Sequence, residues 1–118
     1  MEIWKDIIGY KGSYKVSSYG RVKSLDRMVY IINKGYRKIK EKIIKPIINA
    51  KGYLYIGLHL NGIQKARTIH RLVGLCFIIN PKNKTQINHL DGIKTNNHVS
   101  NLEWVTNSEN QIHAYKMD

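Results

Sequence analysis

The runs Tyr53-Leu54-Tyr55-Ile56-Gly57-Leu58-His59-Leu60 and Ile63 to Ile69 flank the dipeptide Asn61-Gly62. Asn and Gly tolerate the positive φ that a type I′ turn needs at both central positions, and that turn has the twist of two antiparallel strands. The dipeptide therefore commits this stretch to a β-hairpin. Two weaker hairpins are expected before it. Tyr14-Lys15-Val16-Ser17 and Arg21-Val22-Lys23-Ser24-Leu25 alternate around Tyr19-Gly20, and Met28 to Asn33 faces Tyr36 to Lys40 across Lys34-Gly35. Pro46 cannot donate to a ladder, so Ile43 to Asn49 is an edge strand or a connector. From His70 to Ile79 the apolar residues become nearly continuous, which predicts a short buried helix ended before Pro81. Further on, Gln86 to His89 and Leu102 to Val105 read as strands, with a turn at Asp91-Gly92 between them. Thr106-x-x-Glu109 is a capping box that starts a helix at about Asn107, and on it Asn110 and His113 share a face. The expected class is α+β.

Charge divides the chain in two. Residues 1–71 hold sixteen Lys and Arg against Glu2, Asp6, Asp26 and Glu41, a net +12, while residues 72–118 balance four against four. An excess confined to one part of a chain is the electrostatic footprint of a polyanion-binding surface, because phosphate contacts release counterions. Plain solubility charge is the alternative, but it rarely needs such one-sidedness. With 42% hydrophobic residues the chain can bury a core. Leu72 to Ile79 is far shorter than the roughly 20 apolar residues of a membrane span, and Met1-Glu2-Ile3-Trp4-Lys5-Asp6 lacks a signal-peptide pattern. A soluble protein of the cell interior, with no membrane partner, is expected. The single cysteine, Cys76, is read as a packed thiol.

The downstream segment Asn88-His89-Leu90-Asp91-Gly92, Asn96-Asn97, Asn101-Leu102-Glu103-Trp104-Val105 and Asn110 resembles the HNH endonucleases, in their phage and intron-encoded homing branch. Asn101 and Asn110 follow His89 by 12 and 21 residues, the spacing of the three motif positions of that family. Upstream, Trp4-Lys5-Asp6-Ile7, Gly9-Tyr10, Tyr14-x-Val16-Ser17 and Gly20-Arg21-Val22-Lys23-Ser24-Leu25 are similar to the NUMOD-type DNA-binding motif that accompanies such nucleases. The resemblance implies a basic, β-rich DNA-binding region over residues 1–50 and a nuclease region over 51–118, with a ββα-metal (His-Me finger) core at about 85–116. It implies hydrolysis of DNA phosphodiesters, leaving a 5′-phosphate and a 3′-hydroxyl. One core holds one site for one strand, so a nick by a monomer is expected, and a dimer is an open alternative.

Carried onto this sequence, the resemblance makes His89 the general base, which suits an imidazole with its ordinary pKa of about 6.5. Asn88 and Asn110 occupy the metal-ligand positions and Asn101 the position that braces the loop aiming His89. The implied cofactor is one divalent ion, Mg²⁺ in the first place and Mn²⁺ as an alternative. Members of the family often have Asp before the base histidine or His at the last position, whereas both positions here are uncharged asparagines. Mg²⁺ is usually held by one or two carboxylates together with substrate phosphate. The ion is therefore expected to bind the free protein weakly and to be completed by the scissile phosphate of double-stranded DNA.

Other residues carry two readings. His113, one turn beyond Asn110, is a catalytic candidate or an exposed helix histidine. His70 is a packing or capping residue, or with Arg71 a phosphate contact. Arg21, Lys23, Arg67 and Arg71 are the further expected DNA contacts, whereas His59, Trp4 and Trp104 are read as structural and His98 as a surface residue of the loop. The competing classes are a non-catalytic nucleic-acid-binding module with a degenerate HNH site and, more weakly, an RNA-binding protein of ribosomal type.

Overall fold

A computed structural model describes residues 1–117, so Asp118, the last residue of the region expected over 51–118, lies outside the described residues. The first sheet has the order β1-β2-β3-β6, from Trp4–Asp6, Tyr14–Ser17, Val22–Ser24 and Lys42–Ile43. Alternation in β2 sends Tyr14 and Val16 inward, and antiparallel register puts Val16 opposite Val22. The turn between these strands is tied by the Ser17 hydroxyl, which accepts from the amides of Tyr19 and Arg21 at 3.1 Å each.

Strands β4 (Arg27–Ile31) and β5 (Gly35–Ile39) form a separate ribbon paired only with each other. The turn begins earlier than the alternation suggested: β4 stops at Ile31 because Asn33 adopts φ 66° and Gly35 φ 75°. Pro46 separates two short edge strands, β6 in the first sheet and β7 (Ile47–Ile48) in the next, so the segment is both edge strand and connector. β7 leads into β8 (Leu54–Leu60), which pairs with β9 (Ile63–Thr68) around Asn61 at φ 52° and Gly62 at φ 78°. Both positive angles of the type I′ turn are present.

Helix α1 (Ile69–Phe77) follows β9 directly, and the ββα unit comprises β10 (Gln86–His89), β11 (Leu102–Val105) and α2 (Asn107–Met117). The capping box forms in both directions: the Glu109 amide donates to Thr106 Oγ1 at 3.1 Å and the Thr106 amide to Glu109 Oε1 at 2.9 Å. One core joins these parts. Val16 and Val22 of the first sheet, Ile56 and Leu58 of β8, Leu72 and Val73 of α1, and Ile87 and Leu102 of the last hairpin are all buried in a single cluster. Gly74 lets α1 approach that hairpin, since a Cβ there would lie 2.4 Å from Ile87 Cδ1. No helix among the described residues is long and apolar enough to cross a membrane.

Candidate active site

A cleft of about 450 Å³ opens between the last hairpin and α2, lined among others by Tyr53, Asn88, His89, Lys94, Asn110 and His113. His89 ends β10, where the chain turns back so that the Gly92 amide reaches the His89 carbonyl at 2.9 Å. Its side chain is 5% exposed, and Nε2 lies 2.8 Å from Asn97 Oδ1. With an amide oxygen as the partner, Nε2 carries the proton and Nδ1 keeps its lone pair. The ring also packs against two others, 5.1 Å from His70 and 5.9 Å from Tyr53, which are themselves 4.7 Å apart. Burial, reinforced by the neighbouring His89 and Arg71 charges, holds His70 down at a pKa of about 4. His70 is therefore a neutral platform beneath His89 at pH 7.

The turn after His89 is fastened by Asn101. Its Nδ2 donates to Asp91 Oδ1 and to the Asn96 carbonyl, each at 2.9 Å, while its Oδ1 accepts from the Asp91 amide at 3.1 Å. Asp91 also accepts from Asn96 Nδ2 and the Ile93 amide, and these bonds keep its carboxyl below the usual range. The Asp91 carboxylate is occupied within its own turn.

Asn88 and Asn110 are arranged alike. Asn88 Nδ2 donates to Glu103 Oε1 at 3.1 Å, and Asn110 Nδ2 to Gln86 Oε1 at 3.0 Å. Each amide NH₂ thus has an acceptor, which leaves both carbonyl oxygens available as hard donors. His113 Nε2 is buried without a partner, an orphaned ligand-type nitrogen on a residue that lines the same cleft. No three His, Cys, Asp or Glu side chains converge among the described residues, so any ion here meets a set rich in amides.

The expected DNA contacts fall in several places. Arg21 donates Nε to Glu2 at 2.8 Å and pairs with it again through Nη2, and this holds the Glu2 carboxyl at about 2. Lys23 sits 4.4 Å from the Trp4 ring centroid, which makes Trp4 a cation–π platform, while Trp104 packs against the core. Arg71 lies over Trp104 and donates to the Thr85 carbonyl at 2.8 Å, while Arg67 is exposed. His70 is drawn into the ring cluster under His89.

Residue reading in sequence missed Glu103, Asn97, Lys94 and Tyr53. Glu103 had a usable signal, because pairing Gln86 to His89 against Leu102 to Val105 places it opposite Asn88. Lys94, whose Nζ reaches the Lys51 carbonyl at 2.8 Å and lies 5.0 Å from the Tyr53 ring centroid, had none. The β4–β5 ribbon, expected as a hairpin, is also strongly basic. It carries Lys34, Arg37 and Lys38, has no acid between residues 27 and 40, and exposes the cross-strand pair Tyr30 and Tyr36.

The NUMOD4 motif matches residues 2–59, and the HNH endonuclease domain matches residues 68–112, spanning α1, His89, Asn101 and Asn110. The chain belongs to the HNH endonuclease family. Among HNH relatives, DNA endonuclease I-HmuI of Bacillus phage SP01 is 40% identical over 112 residues, covering 92% of this chain and 57% of that protein. An uncharacterized HNH endonuclease, L245, of Acanthamoeba polyphaga mimivirus is 42% identical over 90 residues, covering 74% of this chain and 27% of the relative. A solved structure concerned with DNA binding and cleavage by the HNH homing endonuclease I-HmuI superposes with a TM-score of 0.75 at 37% identity, over 98% of this chain and 60% of that one. This chain thus spans from about a quarter to somewhat over half the length of these HNH relatives. The α+β class and the ββα unit expected from sequence agree with that neighbour.

Proposed function

We propose that this chain cleaves double-stranded DNA with the help of one divalent metal ion, nicking one strand per site. The observation that carries the proposal is a buried histidine whose Nε2 is committed to Asn97, at the edge of a cleft that also receives two amide oxygens and an unpartnered imidazole nitrogen. His89 Nδ1 takes the proton from a water molecule. As the water oxygen bonds to phosphorus the P–O3′ bond breaks, and the departing 3′-oxygen takes up a proton, which leaves a 5′-phosphate and a 3′-hydroxyl.

The residues fit a hard divalent cation of the Mg²⁺ or Mn²⁺ type. Asn88 and Asn110 would hold it through Oδ1, with His113 of the same cleft lining as a nitrogen donor and the Glu103 carboxylate, bonded to the Asn88 amide, adding negative charge behind the site. When bound, the ion offsets charge that builds on the phosphorane and the leaving oxygen. Asn101 keeps the turn after His89 in place, and His70 and Tyr53 restrict the imidazole to one plane. Lys94 supplies a fixed positive charge to a strand entering the cleft.

Residues 1–50 supply grip in this reading, and residues 51–118 chemistry. Lys23 and the ribbon residues Arg37 and Lys38 hold the DNA backbone, with Arg67 and Arg71 as further phosphate contacts. The monomer is sufficient for a nick. The experiment is plasmid relaxation in Mg²⁺ or Mn²⁺ by wild type and His89→Ala, with DNA affinity measured in parallel. Loss of nicking with affinity retained is expected. Relaxation that survives in His89→Ala, or none in wild type, would favour a binding module with a degenerate site.

A further inference from the structure

The turn between β2 and β3, residues Ser17 to Arg21, belongs to the N-terminal region but ends against the loop of the nuclease core. The Val99 amide donates to the Ser18 carbonyl at 2.8 Å. Tyr19 stacks on His98 with ring centroids 5.1 Å apart and planes 26° from parallel. Gly20 comes closest. A Cβ built on it would lie 2.7 Å from Asn97 Cβ and 2.8 Å from the Asn97 carbonyl oxygen, so only glycine permits this approach. Its φ of +84° demands glycine for a second, independent reason.

Asn97 is 4% exposed, and its Oδ1 is the acceptor for His89 Nε2. Its Nδ2 is buried without a partner, so hydrogen bonds to the amide nitrogen do not fix the side chain's position. Packing must fix it, and the wall behind it is Gly20. The wall is stiff: the Ser17 hydroxyl binds two turn amides, the Gly20 amide donates to the Ser17 carbonyl at 3.0 Å, and the Ile3 amide donates to Ser18 Oγ at 2.9 Å.

We infer that the β2–β3 turn of the DNA-binding region is a positioning element for the general base, acting through Gly20 on Asn97 and through Asn97 on His89. The grip region is then part of the active-site wall. Arg21, the residue after Gly20, pairs with Glu2, which ties the turn to the N-terminal segment as well as to the loop of the nuclease core. Gly20 and Asn97 touch no reacting atom. They decide which nitrogen of His89 carries the proton and which way the ring points.

The inference rests on His89 acting as the base, and the test separates the two ideas. Nitrogen-15 imidazole spectra of the metal-free full chain, recorded at one fixed pH, report the His89 tautomer, while plasmid nicking gives kcat and KM. Wild type should show His89 protonated at Nε2. Gly20→Ala and Asn97→Ala should each mix the tautomers and lower kcat by about 100-fold, with KM for DNA within about twofold. The double variant should be no worse than Asn97→Ala alone, because the two changes act through one contact. Should Gly20→Ala fail to fold, Tyr19→Ala removes the stack on His98 and should move the spectrum in the same direction. A wild-type His89 spectrum in the folded variants, or additive losses of kcat, would overturn the inference. A tautomer change in a protein that never nicks DNA overturns the nuclease reading and leaves the positioning contact standing.

Discussion

Asn88 faces Glu103 directly across the β10–β11 ladder, and this pairing changes how the uncharged residue proposed as metal ligand is understood. The amide donates to the carboxylate, so a negative charge lies one hydrogen bond behind the ligand oxygen. Asn88→Asp removes that donor and sets two carboxylates against each other. Without metal the variant should be less stable by about 1–3 kcal/mol, the cost of an unsatisfied and repelling pair. Mn²⁺ should then raise its Tm by more than it raises that of wild type, because the cation relieves the repulsion. Thermal melts with and without MnCl₂ check this, and an identical Mn²⁺ response in both proteins would remove Asn88 from the ligand set. His70 supplies a second residue-scale prediction. Its pKa falls from 6.5 to about 4 on folding, chiefly through burial, so the unfolded chain binds its proton first as pH drops. Its contribution is fully present above pH 6.5 and is lost as pH falls toward 4. Urea unfolding at pH 7.5 and 4.5 should show a smaller loss of stability in His70→Phe than in wild type; equal losses would refute the assignment.

At the scale of elements, α2 carries two of the site's side chains, Asn110 and His113, on a helix whose first two turns are mostly polar. Its sequence, Asn107-Ser108-Glu109-Asn110-Gln111-Ile112-His113, is mostly polar, and Ile112 is exposed. Among the described residues its first turns are tied by the cap, by the Lys84–Glu109 pair and by the bonds of Gln86 to Asn107 and Asn110. Thr106→Ala removes the hydroxyl that accepts the Glu109 amide and should destabilise the helix by about 1 kcal/mol. Mn²⁺ affinity should fall by several-fold while the β-sheet signal in circular dichroism stays unchanged. Unaltered affinity would show that the helix is fixed by contacts other than its cap. Local chemistry made these elements legible. Asn61-Gly62, the Thr106 to Glu109 box and Pro46 each act through residues within a few positions of themselves, so each could be read in the chain. The trio of Tyr53, His70 and His89 could not, because it joins a residue before β8 with one on α1 and one on β10. His70 read alone was as good a phosphate contact as a packing residue; burial against His89 places it in the ring cluster.

At the scale of the molecule, the basic excess of residues 1–71 is spread over the first sheet, a ribbon that pairs with nothing else, β9 and the start of α1, in a molecule 54 Å along its greatest extent. A two-stranded ribbon is one of the shapes a DNA major groove admits, and Tyr30 and Tyr36 are exposed on it. Affinity for duplex DNA should fall steeply with salt. Replacing Arg37 and Lys38 by Ala should lower the slope of log K against log salt by about 2, since each lost phosphate contact removes roughly 0.9. Salt titrations by fluorescence anisotropy check it, and an unchanged slope would take the ribbon out of the interface. Arg21 should contribute less than its position in sequence suggests, because Glu2 already occupies its guanidinium.

The sequence alone determined the hairpins, both helices, the ββα order and the spacing of His89, Asn101 and Asn110, because turns, caps and periodicity are written in neighbouring residues. It also determined where the charge lies. Only the tertiary structure decided which side chains meet: Glu103 behind Asn88, Lys94 and Tyr53 at the cleft, and Asn97 between Gly20 and His89. Those contacts join positions between 8 and 77 residues apart, and their existence depends on strand register and on how closely two backbones approach. A missing Cβ at Gly20 is visible in the sequence, but that the space it leaves is filled by the residue bonded to His89 is visible only once the chain is folded.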